Sequence, residues 1–308
     1  MHVAVFGAGA LGAVYGVRLA SRTQTDVTFV VRPARVDSPA PITIESVRRK
    51  QREKIDTPAR AATVPRDADV VLLAVGTEDL EAIRGPLETS DAPIVVLTPM
   101  LPHDWERIRA AYGDRVLAAM PSVVSYLRED GVFRYWLPPA PTRIDEPRPG
   151  TAFAEPVRVL AEALDEAKLR TRLELGVHER NPATSVCFIA IPMALAIAKS
   201  AEALDADESL LSLVARACRE GGTLASRIGS AEPWAELVAA TASPFTIRMI
   251  FTLIRRFSEE ALFYAEEHFG RKLHAQHVVM ARAMAELARN KRLPHAALEE
   301  LAERLASV

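Results

Sequence analysis

The chain has 308 residues, 49% of them hydrophobic and 25% charged, with 38 Lys and Arg against 40 Asp and Glu. This profile excludes a disordered chain, and a formal charge of −2 excludes a long-range pull toward nucleic acid or an acidic membrane surface. The length suits two domains of ordinary size. Only two cysteines occur, Cys187 and Cys218, both in apolar, helix-like stretches, so no disulfide scaffold is expected. The chain enters an apolar strand at once, without a basic leader, and no apolar run reaches membrane-span length. A cytoplasmic protein is the expectation.

The first half alternates strands with helices. HVAVF (2–6), VTFVV (27–31), DVVLLAV (69–75), PIVVLT (93–98) and RVLAAM (115–120) are short, β-branched and almost continuously apolar. Strands buried on both faces of a parallel sheet have this composition. Helical periods separate several of them, in ALGAVYGVRLAS, EDLEAIRGPLE and HDWERIRAAYG. The β-α-β-α order predicts a doubly wound sheet.

Residues 5–12 read VFGAGALG, a glycine triplet between the first strand and the first helix. Gly7 permits a tight turn, Gly9 lets the backbone approach a pyrophosphate, and Gly12 lets helix pack on strand. The free N–H groups at the helix start, at Ala10 and Leu11, would face phosphate charge. The competing reading is a strand-to-helix turn that holds nothing. The second strand ends at Arg32, with Arg35 beyond it and no carboxylate at that end. An acidic residue there would accept a bond from the ribose 2′-OH of NAD, whereas arginine can fork onto a 2′-phosphate. NADP(H) is therefore expected over NAD(H). Gly76 and Thr98, at the ends of the next two strands, are expected near the nicotinamide.

Between residues 33 and 66 the pattern blurs, and PITIES followed by RRKQREK (48–54) reads as an exposed hairpin with a solvated charge run. VFRYWL and TRIDE read as strands at the antiparallel edge of the sheet, with prolines marking the connections. The aromatics Phe133, Tyr135 and Trp136 are expected to pack rather than line a site. A helix over AEPVRVLAEALDEAKL and a strand over 170–175 close the first half. After His178 every long segment has helical period, which places a domain boundary near 175–180. The apolar stretch CFIAIPMALAIA reads as core or dimer surface, and Cys187 within it as an inert small hydrophobe.

Late in the chain EEHFGRKLHAQHVVM (266–280) gathers groups capable of acid–base work, among them His268, Arg271, Lys272, His274, Gln276 and His277. His274 and His277 share a helix face, as do Lys272 and Gln276. No ligand set of metal-site spacing stands out, so no metal is expected. Lys272 is the preferred cationic group for a substrate, with Glu259 next and His268 as a further acid–base candidate. A solvated helix face is the plain alternative for the same cluster.

VFGAGALGAVYGVRLA, the arginine-ended second strand and the helical second half resemble the ketopantoate reductase (2-dehydropantoate 2-reductase) family. The resemblance implies an α/β Rossmann domain, here 1–176, binding NADP(H). It also implies an all-α domain, here 177–308, similar to the C-terminal domain of 6-phosphogluconate dehydrogenase and serving substrate binding and dimerisation. It implies reduction of a small 2-oxo acid by NADPH in the cleft between the domains. GRKLHAQ is a weaker echo of a late family stretch.

Several family positions are filled differently here. Gly76 stands where the family has a lysine, and Thr98, Pro99 and Met100 stand where it has a Gln-Asn-Gly turn. If IPMALA matches the family's Asn-Pro pair, Ala183 takes the place of the catalytic lysine and Ile191 that of the asparagine. The family's late Thr-Glu pair falls on Phe257 and Ser258. Alanine cannot polarise a keto oxygen as a protonated lysine does. Two readings therefore stand. One is an NADPH-dependent reductase of a carbonyl or imine other than ketopantoate, as in secondary metabolism. The other is a protein of this fold turned to non-redox chemistry or to sensing a nucleotide. A homodimer through the helical domain fits either.

Overall fold

The computed structural model describes residues 1–38, 40–76 and 82–308, the side chains of Phe257, Glu259, Phe269 and Arg271 excepted. It divides into two compact units, Met1–His178 and Glu179–Val308.

The first unit is built on an eight-stranded sheet. In chain order its strands are β1 (His2–Phe6), β2 (Asp26–Val30), β5 (Ala59–Ala61), β6 (Val70–Leu73), β7 (Ile94–Val96), β8 (Val116–Met120), β11 (Thr142–Asp145) and β12 (Thr171–Glu174). The spatial order is β12-β11-β8-β7-β6-β1-β2-β5, parallel throughout except where β11 meets β8. Alternate side chains serve two cores. Val3 and Val5 pack on one face with helices α1 (Ala10–Arg22) and α4 (Ala154–Glu166). Ala4 and Phe6 pack on the other with α2 (Arg84–Leu87) and α3 (Pro102–Tyr112). A strand apolar on both faces needs this double cover. Residues 77–81, the start of the segment read as the helix EDLEAIRGPLE, lie outside the described residues.

A second, four-stranded sheet corrects the edge-strand expectation. It runs β4-β3-β10-β9, from Ile42–Ser46 (β3), Arg52–Ile55 (β4), Val124–Leu127 (β9) and Phe133–Trp136 (β10). VFRYWL thus belongs to this sheet and not to the main one. Its β10 pairs in parallel with β3, because both stack their apolar side chains on the outer side of α1. The hairpin expected across PITIES and RRKQREK does form, with β3 antiparallel to β4, but it is not simply exposed, since Ile42 and Ile44 are core residues beneath α1. The helix is covered on both sides, which explains why Ala13, Val14, Tyr15 and Val17 are all buried.

The second unit is helical. It holds α6 (Ala190–Ala198), α7 (Ala201–Ala206), α8 (Glu208–Ile228), α9 (Pro233–Ala240), α10 (Pro244–Phe257), α11 (Glu259–Tyr264), α12 (His274–Asn290) and α13 (Ala296–Ala306); α5 (Val177–Phe188) starts at the boundary. Asp145, at the end of β11, accepts the Val177 and His178 N–H groups at 2.7 and 3.2 Å and so caps the start of α5. The 21-residue α8 buries a continuous apolar face. Gly221 on it lies against the Val186 carbonyl of α5, where a Cβ would collide. The long periodic run 245–269 is not one helix. Ser258 caps a new start by accepting the Ala261 N–H at 3.1 Å, and Ala265–Lys272 is a π-helical turn. Among the described residues no single helix is long and apolar enough to cross a membrane; α5 and α6 meet that length only together, across a 44° bend.

Candidate functional site

The three glycines of the first loop divide by what surrounds them. Gly7 takes φ +99°, a conformation that suits glycine, and a Cβ there would sit 2.7 Å from the Ala74 carbonyl oxygen. Gly12 presses on the Gly7 carbonyl and on the Val5 side chain, again leaving no space for a Cβ. Gly9 has extended backbone (φ −74°, ψ −173°) that any residue adopts, and a Cβ on it meets nothing within 4 Å. Two glycines are thus required by the chain's own packing, and the third is not. Gly9 is also the N-cap of α1, with no side-chain cap and no acidic residue in the first turn. The N–H groups of Ala10 and Leu11 therefore start a helix whose positive end is open to an anion.

Arg32 follows β2 and Arg35 closes a short 3-10 turn, Pro33–Arg35. Both are exposed, and among the described residues neither guanidinium has a hydrogen-bond or ion-pair partner. The loop beyond them is strapped by Arg60, whose guanidinium donates to the Ser38 and Ala40 carbonyls at 2.5 Å each. Arg60 lies opposite Phe29 of β2. Sequence reasoning passed it over because it sits in a short polar strand with no motif around it. Gly76 follows β6, and the Thr98 hydroxyl donates to the Val75 carbonyl at 2.5 Å, tying together the ends of β6 and β7 beside that glycine.

In the second unit the late polar cluster folds back on itself. His268 stacks on Tyr264 with ring centroids 4.9 Å apart. Burial, reinforced by the Lys272 charge, pushes the His268 pKa down to about 4. Burial, with His268 and His274 nearby, does the same to His277, also to about 4. Both imidazoles are therefore neutral at physiological pH, and His268 has no imidazolium proton to give. Lys272 is exposed. The Glu259 backbone begins α11, and its side chain lies outside the described residues. The expectation that His274 and His277 form a solvated face is corrected for His277, which is buried.

These buried histidines make the fold acid-sensitive. Their folded pKa lies below the ordinary value near 6.5, so unfolded chain binds more protons as pH falls. Stability is complete above about pH 6.5 and is lost from there toward pH 4, by up to about 1.4 kcal/mol per pH unit per histidine. Urea unfolding of His277→Leu should show a shallower pH slope in that window than the parent chain. Identical slopes would contradict the assignment.

Residues 3–146 match the family model described as ketopantoate reductase PanE/ApbA. Comparison with curated protein sequences gave no match. Among solved structures, a 2-dehydropantoate 2-reductase from Geobacter metallireducens GS-15 superposes with TM-score 0.72 at 18% identity, over 100% of this chain and 99% of that one. A D-mandelate dehydrogenase in ternary complex with NADH and anilino(oxo)acetate gives 0.71 at 14%, over 100% and 97%. A dimeric ketopantoate reductase from Staphylococcus aureus gives 0.68 at 17%, over 100% and 98%. At these identities the likeness carries the fold, and the whole chain has the ketopantoate reductase fold.

In the second unit, positions 183 and 191 are apolar and enclosed. Ala183 has no exposed surface, and Ile191 has 8%. Neither can hydrogen-bond through its side chain.

Proposed function

We propose that the chain is an NADP(H)-dependent reductase of a carbonyl or imine substrate other than ketopantoate. The observation that carries this is Gly9, a glycine that neither backbone conformation nor neighbouring atoms require, at an uncapped helix start. A pyrophosphate laid against that start gives it a reason. Gly9, Ala10, Leu11 and Gly12 would hold the pyrophosphate through backbone N–H groups, and Arg32 with Arg35 would take the 2′-phosphate. Gly76 and Thr98 would flank the nicotinamide end. NADPH, when bound, supplies the hydride.

The chain's own part is binding, orientation and proton supply. Lys272 can place a positive charge beside a developing oxyanion, and Glu259 is the second candidate for proton transfer. His268, neutral by burial, would not serve as an imidazolium acid. The enclosed alanine and isoleucine at 183 and 191 argue for a less polar substrate than a small 2-oxo acid. They also favour the second reading, a non-redox or nucleotide-sensing protein on the same fold.

Arg32→Asp should weaken NADPH binding by about tenfold to a hundredfold and leave NADH binding within a few-fold of the parent. Equal losses for both cofactors would remove the NADP assignment. Absorbance loss from NADPH against a panel of ketones, imines and 2-oxo acids separates the two readings. Tight binding without turnover on any class would favour the non-redox one.

A further inference from the structure

At the other end of α1 from the glycine loop lies a concave, cationic recess with no assigned role. Arg18 is 4% exposed, and its guanidinium is held on several sides. It donates to the Glu53 carboxylate at 3.1 Å, to the Tyr135 hydroxyl at 3.0 Å and, through Nε, to the Ala167 carbonyl at 2.8 Å. Arg22 also donates to Glu53, at 2.8 Å. One carboxylate thus answers two guanidinium groups, and the locality keeps a net positive charge.

Beside this network opens a recess of about 160 Å³ whose lining includes Arg18, Arg48, Arg49 and Lys168 and no carboxylate. Among the described residues Arg48, Arg49 and Lys168 have no ion-pair partner. Ser46 and Trp136 complete the wall. Defined backbone turns carry these cations. Ser46 Oγ accepts the Arg49 N–H at 3.3 Å, and the turn closes through Lys50 in the left-handed region at φ +53°. Lys168 follows the end of α4, also left-handed, at φ +62°. Two strained non-glycine turns therefore present cations to one concave place. Like charges gathered beside low-dielectric walls repel one another and focus a field that concentrates anions.

We propose that this recess is an anion site for a phosphate group, free or as the monoester of a small metabolite. Arginine forks match phosphate oxygens in pairs, and Lys168 adds a point charge. The site is separate from the glycine loop: Arg18 stands nine residues after Gly9, about 13 Å along the helix axis. A phosphate here bridges the β3–β4 turn to the end of α4 and rigidifies the outer face of the first unit.

The test is calorimetric titration of the full chain with inorganic phosphate and, separately, with glycerol phosphate, read together with Trp136 fluorescence. Saturable binding is expected, weakened about tenfold or more by Arg48→Ala/Arg49→Ala and by Lys168→Ala, and unchanged by Arg32→Asp. Tighter binding of the ester than of the free ion would assign the walls a part in recognition. Equal binding would assign the free ion. Absence of saturation, or binding that survives the Arg48/Arg49 variant and is lost with Arg32→Asp, overturns the proposal. Arg48, Arg49 and Lys168 are exposed, so these variants fold.

Discussion

Truncating Glu53 to alanine should cost the fold about 3–5 kcal/mol. The Glu53 side chain is 9% exposed and is shared by Arg18 and Arg22. Burial alone would raise its carboxyl pKa, but the Arg22 hydrogen bond and the Arg18 and Arg22 charges bring it below the usual carboxylate range. Without Glu53 a guanidinium enclosed by Tyr135 and the end of α4 keeps its charge and loses its counterion. Breaking a buried pair on one side costs more than the pair is worth, because the remaining charge is stranded. Arg18 is also what ties α1 to the second sheet and to α4, so the loss should be cooperative. Urea unfolding near neutral pH measures it, and a change under about 1 kcal/mol would contradict this account. The sign with pH follows from the lowered carboxyl. Its contribution is present above about pH 4.3 and is lost as pH falls through the folded value.

The glycine loop predicts a second large effect, with a built-in control. Gly9→Ala meets no atom and no backbone strain, so the variant should unfold like the parent. Its methyl group would stand where a pyrophosphate must approach, and dinucleotide affinity should fall by about tenfold to a hundredfold through lost charge-assisted hydrogen bonds. Gly12→Ala is the contrast. Its methyl group would collide with the Gly7 carbonyl, so stability itself should fall by about 1–3 kcal/mol or more. A Gly9→Ala chain that binds cofactor like the parent would leave that glycine without a functional reason.

Much of the fold was legible because its signals are local. The central strands of the parallel sheet are buried on both faces and read as apolar runs, and the glycine triplet sits directly between a strand and a helix. The second sheet was not legible. Its β3 and β10 are far apart in sequence, and only the shared burial of α1 brings Ile44 and Phe133 side by side. Glu53 looked like part of a solvated charge run because nothing local shows that Arg18 and Arg22, a helix away, converge on it. The late cluster failed in a different way. Helical spacing placed His274 and His277 on one face, but burial is tertiary, and it is burial that makes His277 neutral. Arg32 stands out in the sequence because it follows a strand, whereas Arg60, which braces the loop after it, acts through backbone carbonyls that no sequence pattern marks.

Direct titration of the purified chain with NADPH and with NADH, by nicotinamide fluorescence, tests the central claim most plainly. Saturable binding with NADPH favoured at least about tenfold over NADH is the predicted result. No saturation with either dinucleotide would contradict it.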